Sequence, residues 1–208
     1  MTSAEIYEYC EQHTTLPHES LPKLERETHL RTTQPHMLSG LLQGELLALL
    51  VKISNAKQVL DIGTFTGYSA ICLASAMEEG QVHTIDIDEE KTPWVKQSIR
   101  NAGLEDKIMV YTGKASEIIP TIDVLFDLAY IDADKENYAL YYEIVLENMK
   151  SGGIIIADNV LWKGKVLDEQ KDKKTAIIDA FNKLIQMDDR VENLLLPLRD
   201  GLMIVRKK

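Results

Sequence analysis

The chain has 208 residues with 33 acidic and 23 basic side chains, which gives a formal net charge of −10. This length fits one domain over residues 1–208 with a full hydrophobic core. The negative charge argues against a nucleic-acid backbone or an anionic membrane as a partner. The longest apolar run, 46–51, is too short to span a bilayer, and the N-terminus lacks the features of a secretory leader. We therefore expect a cytoplasmic protein.

The first 35 residues predict a helical arm or lid that precedes a core over residues 36–208. A capping-box pattern at Thr2–Glu5 predicts a first helix over residues 2–12, and residues 21–30 predict a second. Cys10 and Cys72 are isolated in helix-like stretches, so we expect both to be reduced packing residues.

Residues 36–52 predict a longer helix that is apolar on more than one side. Leu38, Leu42, Leu46 and Leu49 share one helical stripe, and further leucines widen this stripe enough for a second partner surface. Glycines in a helix are unfavourable by about 1 kcal/mol each. The pair at positions 40 and 44 therefore indicates a close approach, either by a ligand or by another helix.

The central unit of the chain is a strand, a glycine turn and a helix. Residues 59–62 form a short apolar run that stops at glycine, which is typical of a buried strand. Gly63 and Gly67 follow, and glycine allows both a sharp turn and the close approach of a ligand. A helix is predicted from Tyr68, and its N-terminus offers free N–H groups.

The spacing of this turn separates two classes of cofactor. A dinucleotide fingerprint reads G-x-G-x-x-G, whereas this loop reads D-x-G-x-x-x-G. The carboxylate of Asp61 would repel phosphates but suits a ligand that carries an ammonium group. S-adenosylmethionine has such a group and no phosphate. An NAD-dependent oxidoreductase is disfavoured by the missing third glycine.

Strands and helices alternate through the rest of the chain. Strands are predicted at 82–86, 107–111, 124–131 and 154–157. Helices are predicted over 89–102 and 115–119, from Tyr138 to a stop at Gly152-Gly153, and around 177–185. Runs 194–198 and 202–205 flank a turn and indicate a terminal hairpin. This pattern predicts an α/β fold: a Rossmann-like, doubly wound, mostly parallel seven-stranded sheet with a C-terminal antiparallel hairpin.

Acidic residues fall at the carboxyl ends of the predicted strands, where ligands bind in such sheets. They are Asp61, Asp86, Asp132 and Asp158. Helix N-capping could explain any one of them, but four in succession weaken that explanation. Asp86 lies 25 residues after Asp61, close to the spacing at which an acid binds a ribose diol.

The later acids form a candidate metal site. Asp132, Asp158 and Asn159 supply oxygen ligands only, which suits a hard divalent ion such as Mg²⁺, Mn²⁺ or Ca²⁺. In extended backbone Asp134 points to the same side as Asp132. Lys135 could take a proton from a hydroxyl held there; a solvated lysine at a helix start is the alternative.

Three stretches together resemble one enzyme family. They are Val-Leu-Asp-Ile-Gly-Thr-Phe-Thr-Gly-Tyr-Ser, Ile-Asp-Ala-Asp-Lys-Glu-Asn-Tyr and Ala-Asp-Asn-Val-Leu-Trp-Lys-Gly. They resemble the motifs of class I S-adenosylmethionine-dependent O-methyltransferases of the metal-dependent caffeoyl-CoA and catechol O-methyltransferase branch, in the expected order over residues 30–206. The implied reaction is methyl transfer to a hydroxyl of a vicinal dihydroxy aromatic.

The resemblance also implies roles for particular residues. The metal ligands would be Asp132, Asp158 and Asn159, and Lys135 would be the general base. The cofactor would be bound by Ser39, Asp61, Gly63, Thr64, Ser69, Asp86, Ala115 and Asp134. A homodimer is expected as well.

The sequence departs from the family in three places. The family usually carries glutamate where this chain has Asp61, and plant members have asparagine, a substrate contact, at Lys163. Plant members also carry a longer insertion before the helix near residue 175. A small free catechol or hydroxycinnamate is therefore favoured over an acyl-CoA ester. Asp200 could approach the acceptor, although turn chemistry alone would explain it.

Two functional alternatives stay open from sequence. One is a methyltransferase for another acceptor such as RNA, which the acidic composition disfavours. The other is a cofactor-binding module without catalysis, which the complete set of candidate metal and cofactor residues disfavours.

Overall fold

The structure, a computed structural model, describes residues 4–208. The chain divides into two compact units after Gly113, and the expectation of a single domain stays a prediction. Of the capping-box residues, Thr2 and Ser3 lie outside the described range. The helix that they were expected to start is present as α1.

The first unit contains five helices and three strands among its described residues. The helices are α1 Ala4–Gln12, α2 Leu21–Arg31, α3 Gly40–Ser54, α4 Tyr68–Ser75 and α5 Thr92–Asn101. The strands are β1 Gln58–Ile62, β2 Gln81–Asp86 and β3 Ile108–Thr112. Short 3-10 helices lie at Pro35–Met37 and Glu89–Lys91. The three strands pair in parallel.

The second unit contains the remaining helices and strands. The helices are α6 Ala115–Ile118, α7 Tyr138–Glu147 and α8 Lys173–Gln186, with 3-10 helices at Ile119–Thr121, Lys135–Asn137 and Trp162–Leu167. The strands are β4 Phe126–Ile131, β5 Met149–Asp158, β6 Val191–Leu196 and β7 Leu202–Lys207. Strands β4 and β5 are parallel, whereas β7 is antiparallel to both β5 and β6.

Together the strands of the described residues form a seven-stranded sheet of order β3-β2-β1-β4-β5-β7-β6. This is the Rossmann-like, mostly parallel sheet with an antiparallel C-terminal hairpin that the sequence predicted. Strands β1 and β4 are buried along nearly their whole length, which is typical of parallel strands covered on both faces.

Helix α3 differs from its prediction in its start and in its buried face. It begins at Gly40, whose φ of 73° is left-handed, and the residues before it form a 3-10 helix. The buried positions are Gln43, Gly44, Leu47, Ala48 and Val51. Of the predicted stripe of leucines, Leu38 is buried, the next two are half-buried and Leu49 is 52% exposed. A helix that is apolar all round does not reveal its inner face from sequence alone.

The close approach expected at Gly44 is made by another helix. A Cβ at this position would lie 2.8 Å from Cys72 Sγ and 3.1 Å from a ring carbon of Tyr68, both in α4. Of the two cysteines, Cys72 is buried as predicted, whereas Cys10 is exposed on α1. The expectation that Cys10 is a packing residue is therefore wrong.

The predicted stop at Gly152-Gly153 is also wrong. Helix α7 ends at Glu147, and both glycines lie inside β5. A Cβ on Gly153 would lie 2.4 Å from Met149 Cγ and 2.9 Å from the Lys150 carbonyl oxygen, so glycine serves packing within an irregular strand rather than helix termination. The stretch Pro35–Ser54 is long and apolar enough to cross a membrane by length and composition alone; five of the fifteen residues of its helical part, α3, are buried.

Candidate active site

The glycine turn of the first unit has the backbone geometry that its sequence predicted. Gly63 and Gly67 have φ values of 109° and 91°, a region that strongly favours glycine. The Gly67 amide donates to the Thr64 carbonyl at 2.8 Å, and the Gly63 amide donates to the Ile85 carbonyl at 2.9 Å. The turn is therefore bonded both within itself and to β2, and it leads into the N-terminus of α4.

Asp61 lies at the carboxyl end of β1 and is completely buried. Its Oδ2 accepts a hydrogen bond from Ser69 Oγ at 3.2 Å and another from Thr84 Oγ1 at 2.6 Å. Thr84 is the register partner of Asp61 on β2, so the two side chains project from the same side of the sheet. Thr64, which is also buried, lies 2.6 Å from Thr84 through the two hydroxyl oxygens.

Asp86 ends β2 and is bonded to the backbone of two loops. Its Oδ2 accepts from the Phe65 amide at 2.8 Å, and its Oδ1 accepts from the Asp88 amide at 3.0 Å. Each carboxylate oxygen has two lone pairs, so each oxygen of Asp86 can accept a second hydrogen bond. Asp88, rather than any of the four strand-end aspartates, caps the following 3-10 helix.

The remaining predicted cofactor residues are placed in both units. Ser39 is buried directly before α3, and Ser69 is buried in the first turn of α4. Ala115 is the buried first residue of α6 in the second unit. Asp134, also in the second unit, accepts from Tyr141 Oη at 2.5 Å and from Asn137 Nδ2 at 2.5 Å. Its carboxylate is thus oriented by its own turn.

In the second unit the register of β4 and β5 brings two carboxylates together. Ile131 pairs with Ala157 in this parallel ladder, so Asp132 and Asp158 follow side by side at the same edge. Asp158 is 4% exposed. It accepts from Tyr130 Oη at 3.0 Å and from the Asn159 amide at 2.6 Å. Asn159 has a left-handed φ of 59°.

The environment of Asp132 shows how charge is distributed in this cluster. Burial raises the pKa of its carboxyl most, and the negative charge of Asp158 raises it further, while Lys135 and Arg199 lower it. The pKa remains raised above its ordinary value despite these two cations. Burial and the neighbouring carboxylate of Asp158 thus both disfavour the charged form of Asp132.

Lys135 is held by one carboxylate and one phenol. Its Nζ donates to Asp132 Oδ1 at 3.0 Å and to Tyr138 Oη. The Tyr138 hydroxyl is buried within reach of the Ile131 and Asp158 carbonyl oxygens, at 3.2 and 3.1 Å. It donates its single hydrogen to one of them, which leaves a lone pair to receive Lys135. The amine is thereby fixed beside the carboxylate pair.

The C-terminal hairpin is bonded to the loop that follows Asn159. The Leu161 amide donates to the Asp200 carbonyl at 2.8 Å, and the Lys163 amide donates to Asp200 Oδ1. Asp200 therefore joins two loops, and the side chain of Lys163 is exposed. Arg199, which sequence reasoning did not select, influences Asp132 through its charge. No sequence motif predicted the left-handed φ of 50° at Arg199.

The donor set fits a hard divalent ion. Among residues 4–208 no group of three or more His, Cys, Asp or Glu side chains is arranged to hold a metal. The candidate set instead combines the two carboxylates of Asp132 and Asp158 with the amide of Asn159. Oxygen ligands of this kind suit Mg²⁺, Mn²⁺ or Ca²⁺. The first unit likewise fits S-adenosylmethionine, with an acid before a glycine turn and a second acid at the end of β2.

The fold and these two groups of side chains define an S-adenosylmethionine-dependent O-methyltransferase. The chain belongs to the O-methyltransferase family, whose model matches residues 11–208, and within that family it is of the caffeoyl-CoA and catechol O-methyltransferase type. This agrees with the family that the three sequence motifs indicated.

The similarity extends over the whole chain. A caffeoyl-CoA O-methyltransferase of Populus kitakamiensis is 36% identical over 227 aligned residues, which cover 100% of this chain and 95% of that protein. Catechol O-methyltransferase domain-containing protein 1 of Mus musculus is 36% identical, covering 97% of this chain and 79% of that protein.

Solved structures agree. The O-methyltransferase TomG from Streptomyces achromogenes, involved in tomaymycin synthesis and solved with S-adenosylmethionine, has a TM-score of 0.91 at 26% identity and full coverage of both chains. The Bacillus cereus O-methyltransferase in complex with S-adenosylhomocysteine has a TM-score of 0.90 at 30% identity, with coverage of 98% and 97%.

Proposed function

We propose that this enzyme transfers the methyl group of S-adenosylmethionine to one hydroxyl of a small catechol-type aromatic, with the help of a divalent cation, Mg²⁺ being the first choice. The observation that carries this proposal is the pairing of half-buried Asp132 with buried Asp158, with Lys135 fixed 3.0 Å from one oxygen of Asp132. Similarity to proteins named for caffeoyl-CoA and catechol supports the acceptor class.

In this proposal Asp132, Asp158 and Asn159 hold the cation. A divalent ion bound there would act as a Lewis acid towards acceptor oxygens. Three protein ligands leave positions open on an ion that takes six or more, and two adjacent hydroxyls of one aromatic ring match adjacent open positions. Tyr130 supports this arrangement because its hydroxyl fixes one oxygen of Asp158.

Lys135 is the proposed general base. The Tyr138 hydroxyl and Asp132 hold its Nζ in a defined position beside the proposed cation ligands. S-adenosylmethionine supplies an already activated methyl group, so the protein chiefly has to orient the acceptor oxygen and remove its proton.

A small acceptor is supported by the short connection before α8. The 3-10 helix Trp162–Leu167 and α8, which starts at Lys173, are joined by residues 168–172 alone. This segment is charged and exposed, and it contains no insertion of the kind that the plant members carry. We propose free catechols and hydroxycinnamates as acceptors before acyl-CoA esters, in a cytoplasmic enzyme.

The test is methyl transfer from labelled S-adenosylmethionine to caffeic acid and a panel of catechols, with Mg²⁺ and then with excess EDTA. Turnover is expected with vicinal diols, to be abolished by EDTA and restored by Mg²⁺, and to be absent with matched monophenols. Turnover that is indifferent to EDTA would contradict the roles of Asp132, Asp158 and Asn159. Turnover on monophenols at the same rate would contradict the acceptor class.

We also propose that the enzyme is a homodimer. The outward face of α3 exposes Leu49 and Ile53, which are 52% and 70% accessible, and apolar side chains grouped on one helix face mark interaction surfaces. Light scattering at micromolar concentration should give twice the chain mass, and Leu49→Glu together with Ile53→Glu should shift it towards the monomer. A monomeric mass for the wild type would refute this.

A further inference from the structure

The hydroxyl of Thr84 contacts two residues of the candidate cofactor site, Asp61 and Thr64. Thr84 is completely buried in β2, and it pairs in register with Asp61 on β1. Its Oγ1 is 2.6 Å from Asp61 Oδ2 and 2.6 Å from Thr64 Oγ1. Thr84 therefore connects the buried acid with the first threonine of the glycine turn.

The hydrogens of this chain of side chains can be assigned. An ionised carboxylate only accepts, and each hydroxyl has a single hydrogen. Because Thr84 donates to Asp61, its hydroxyl must accept at the second contact, and so Thr64 donates to Thr84. The relay runs from Thr64 through Thr84 to Asp61 in one direction. A donor to a charged group makes a stronger hydrogen bond than a neutral pair does.

The relay restricts how the Asp61 carboxylate can turn. Thr84 and Ser69 both bind the same oxygen, Oδ2, and they approach from a strand and from a helix. Rotation of the carboxylate about its terminal bond would break both contacts. Aspartate is one methylene shorter than the glutamate that the family usually carries here, so a fixed orientation matters more for its reach to a ligand.

We propose that Thr84 is a positioning residue, which orients the Asp61 carboxylate towards the α-ammonium group of the methionyl part of S-adenosylmethionine. This inference rests on the role of Asp61 as the acid that recognises that ammonium. Thr84 itself need not touch the cofactor. Its effect on binding should therefore depend on whether the ligand has an ammonium group.

The experiment compares two ligands by calorimetry with the full chain. S-adenosylhomocysteine carries the amino-acid portion, and 5′-methylthioadenosine lacks it. Thr84→Val removes the hydroxyl at almost constant volume and is expected to weaken binding of S-adenosylhomocysteine by on the order of 10-fold, while binding of 5′-methylthioadenosine stays within about 2-fold. Thr84→Ser keeps a donor and should restore most of the affinity.

Three binding outcomes contradict the proposal. Equal weakening of both ligands would mean that Thr84 supports the fold only, and unchanged binding of both would mean that Asp61 is positioned without it. If the wild type binds the two ligands equally well, the role of Asp61 fails together with that of Thr84. If Thr84→Val does not fold, as thermal unfolding would show, Thr84→Ala carries the same comparison.

Discussion

The two units compensate the carboxylates at their strand ends in different ways. In the first unit Asp61 and Asp86 are bonded to neutral donors, namely the hydroxyls of Ser69 and Thr84 and two backbone amides. In the second unit Asp132 and Asp158 lie near each other, and the pKa of Asp132 stays raised although a lysine and an arginine act on it.

The carboxylates of the first unit are thus oriented by neutral donors, whereas in the second unit a second carboxylate and two cationic side chains act on Asp132. Neutral donors orient a carboxylate without cancelling its charge. Two neighbouring carboxylates repel each other, and the cation that we propose for the second unit would reduce that repulsion by binding to both. The comparison can be tested by changing one side chain at a time.

The largest effect is expected at Lys135. Lys135→Met should lower kcat by about 10²- to 10⁴-fold, the usual contribution of a general base. The Kd for S-adenosylhomocysteine should stay unchanged because no predicted cofactor-binding residue is altered. Steady-state kinetics and calorimetry measure the two quantities. Lys150→Met, which removes a lysine bonded to Asp127 on the same strand as Ile131, is the matched control and should retain full turnover.

A second variant separates the base from its charge. Lys135→Arg retains a cation, but arginine does not give up a proton in proteins. It should be nearly as inactive as Lys135→Met. An arginine variant with wild-type kcat would show that position 135 supplies charge alone, and the proposed base would have to be sought elsewhere.

The next effect concerns the carboxylate pair. Asp132→Asn keeps an oxygen acceptor for Lys135 but removes one negative charge, so it should lower turnover at limiting Mg²⁺ by on the order of 100-fold. Its melting temperature in EDTA should not fall, because one of two repelling charges is gone, and the stabilisation that Mg²⁺ gives the wild type should be lost.

The control for this variant is Asp127→Asn. Asp127 lies on β4, which Asp132 directly follows, and it accepts from Lys150 at 2.6 Å. Its side chain is as exposed as that of Asp132, 20% against 21%, but it lies near the other end of the strand. Turnover and its Mg²⁺ dependence should remain those of the wild type. A clear fall in the melting temperature of Asp132→Asn in EDTA would contradict the idea that Asp132 and Asp158 repel each other.

The sequence predicted the carboxylate pair better than it predicted the helices around it. Acids at the ends of β4 and β5 become neighbours because parallel strands end at one edge, so pattern alone placed Asp132 beside Asp158. The buried face of α3 could not be predicted because leucines of this helix lie on more than one of its sides. Likewise, the glycine pair in β5 resembled a helix stop, although close packing against Met149 accounts for Gly153.

Residues that act through other residues were harder to find. The contact of Thr84 with Asp61 depends on the pairing of the two residues in register, which the sequence does not show. Thr84 belongs to no motif within Val-His-Thr-Ile-Asp. Tyr130 and Tyr138 resembled core aromatics, and both are indeed fully buried. Their hydroxyls serve Asp158 and Lys135 because of packing between elements that are distant in sequence, which no local pattern reports.

The smallest effect is expected at His83, a residue of the first unit whose protonation should lower stability in acid. His83 is buried in β2 between Tyr111 Oη and Gln58 Oε1, each 3.1 Å from a ring nitrogen. Burial lowers its pKa below the ordinary value, so the unfolded chain takes up a proton more readily than the folded chain does. The stability contributed by neutral His83 is therefore complete above about pH 6.5 and is lost as the pH falls towards the lowered value.

Urea unfolding at pH 7.5 and pH 5.5 measures this loss. His83→Gln keeps a donor and an acceptor for the two partners but does not titrate, so its unfolding midpoint should fall less between the two pH values than that of the wild type. Turnover at pH 7.5 should be unchanged, since His83 belongs to neither of the two groups of candidate site residues. If the wild type and the variant show the same pH dependence, the loss of stability in acid comes from the carboxylates instead of His83. Charged groups would then determine the acid sensitivity of both units.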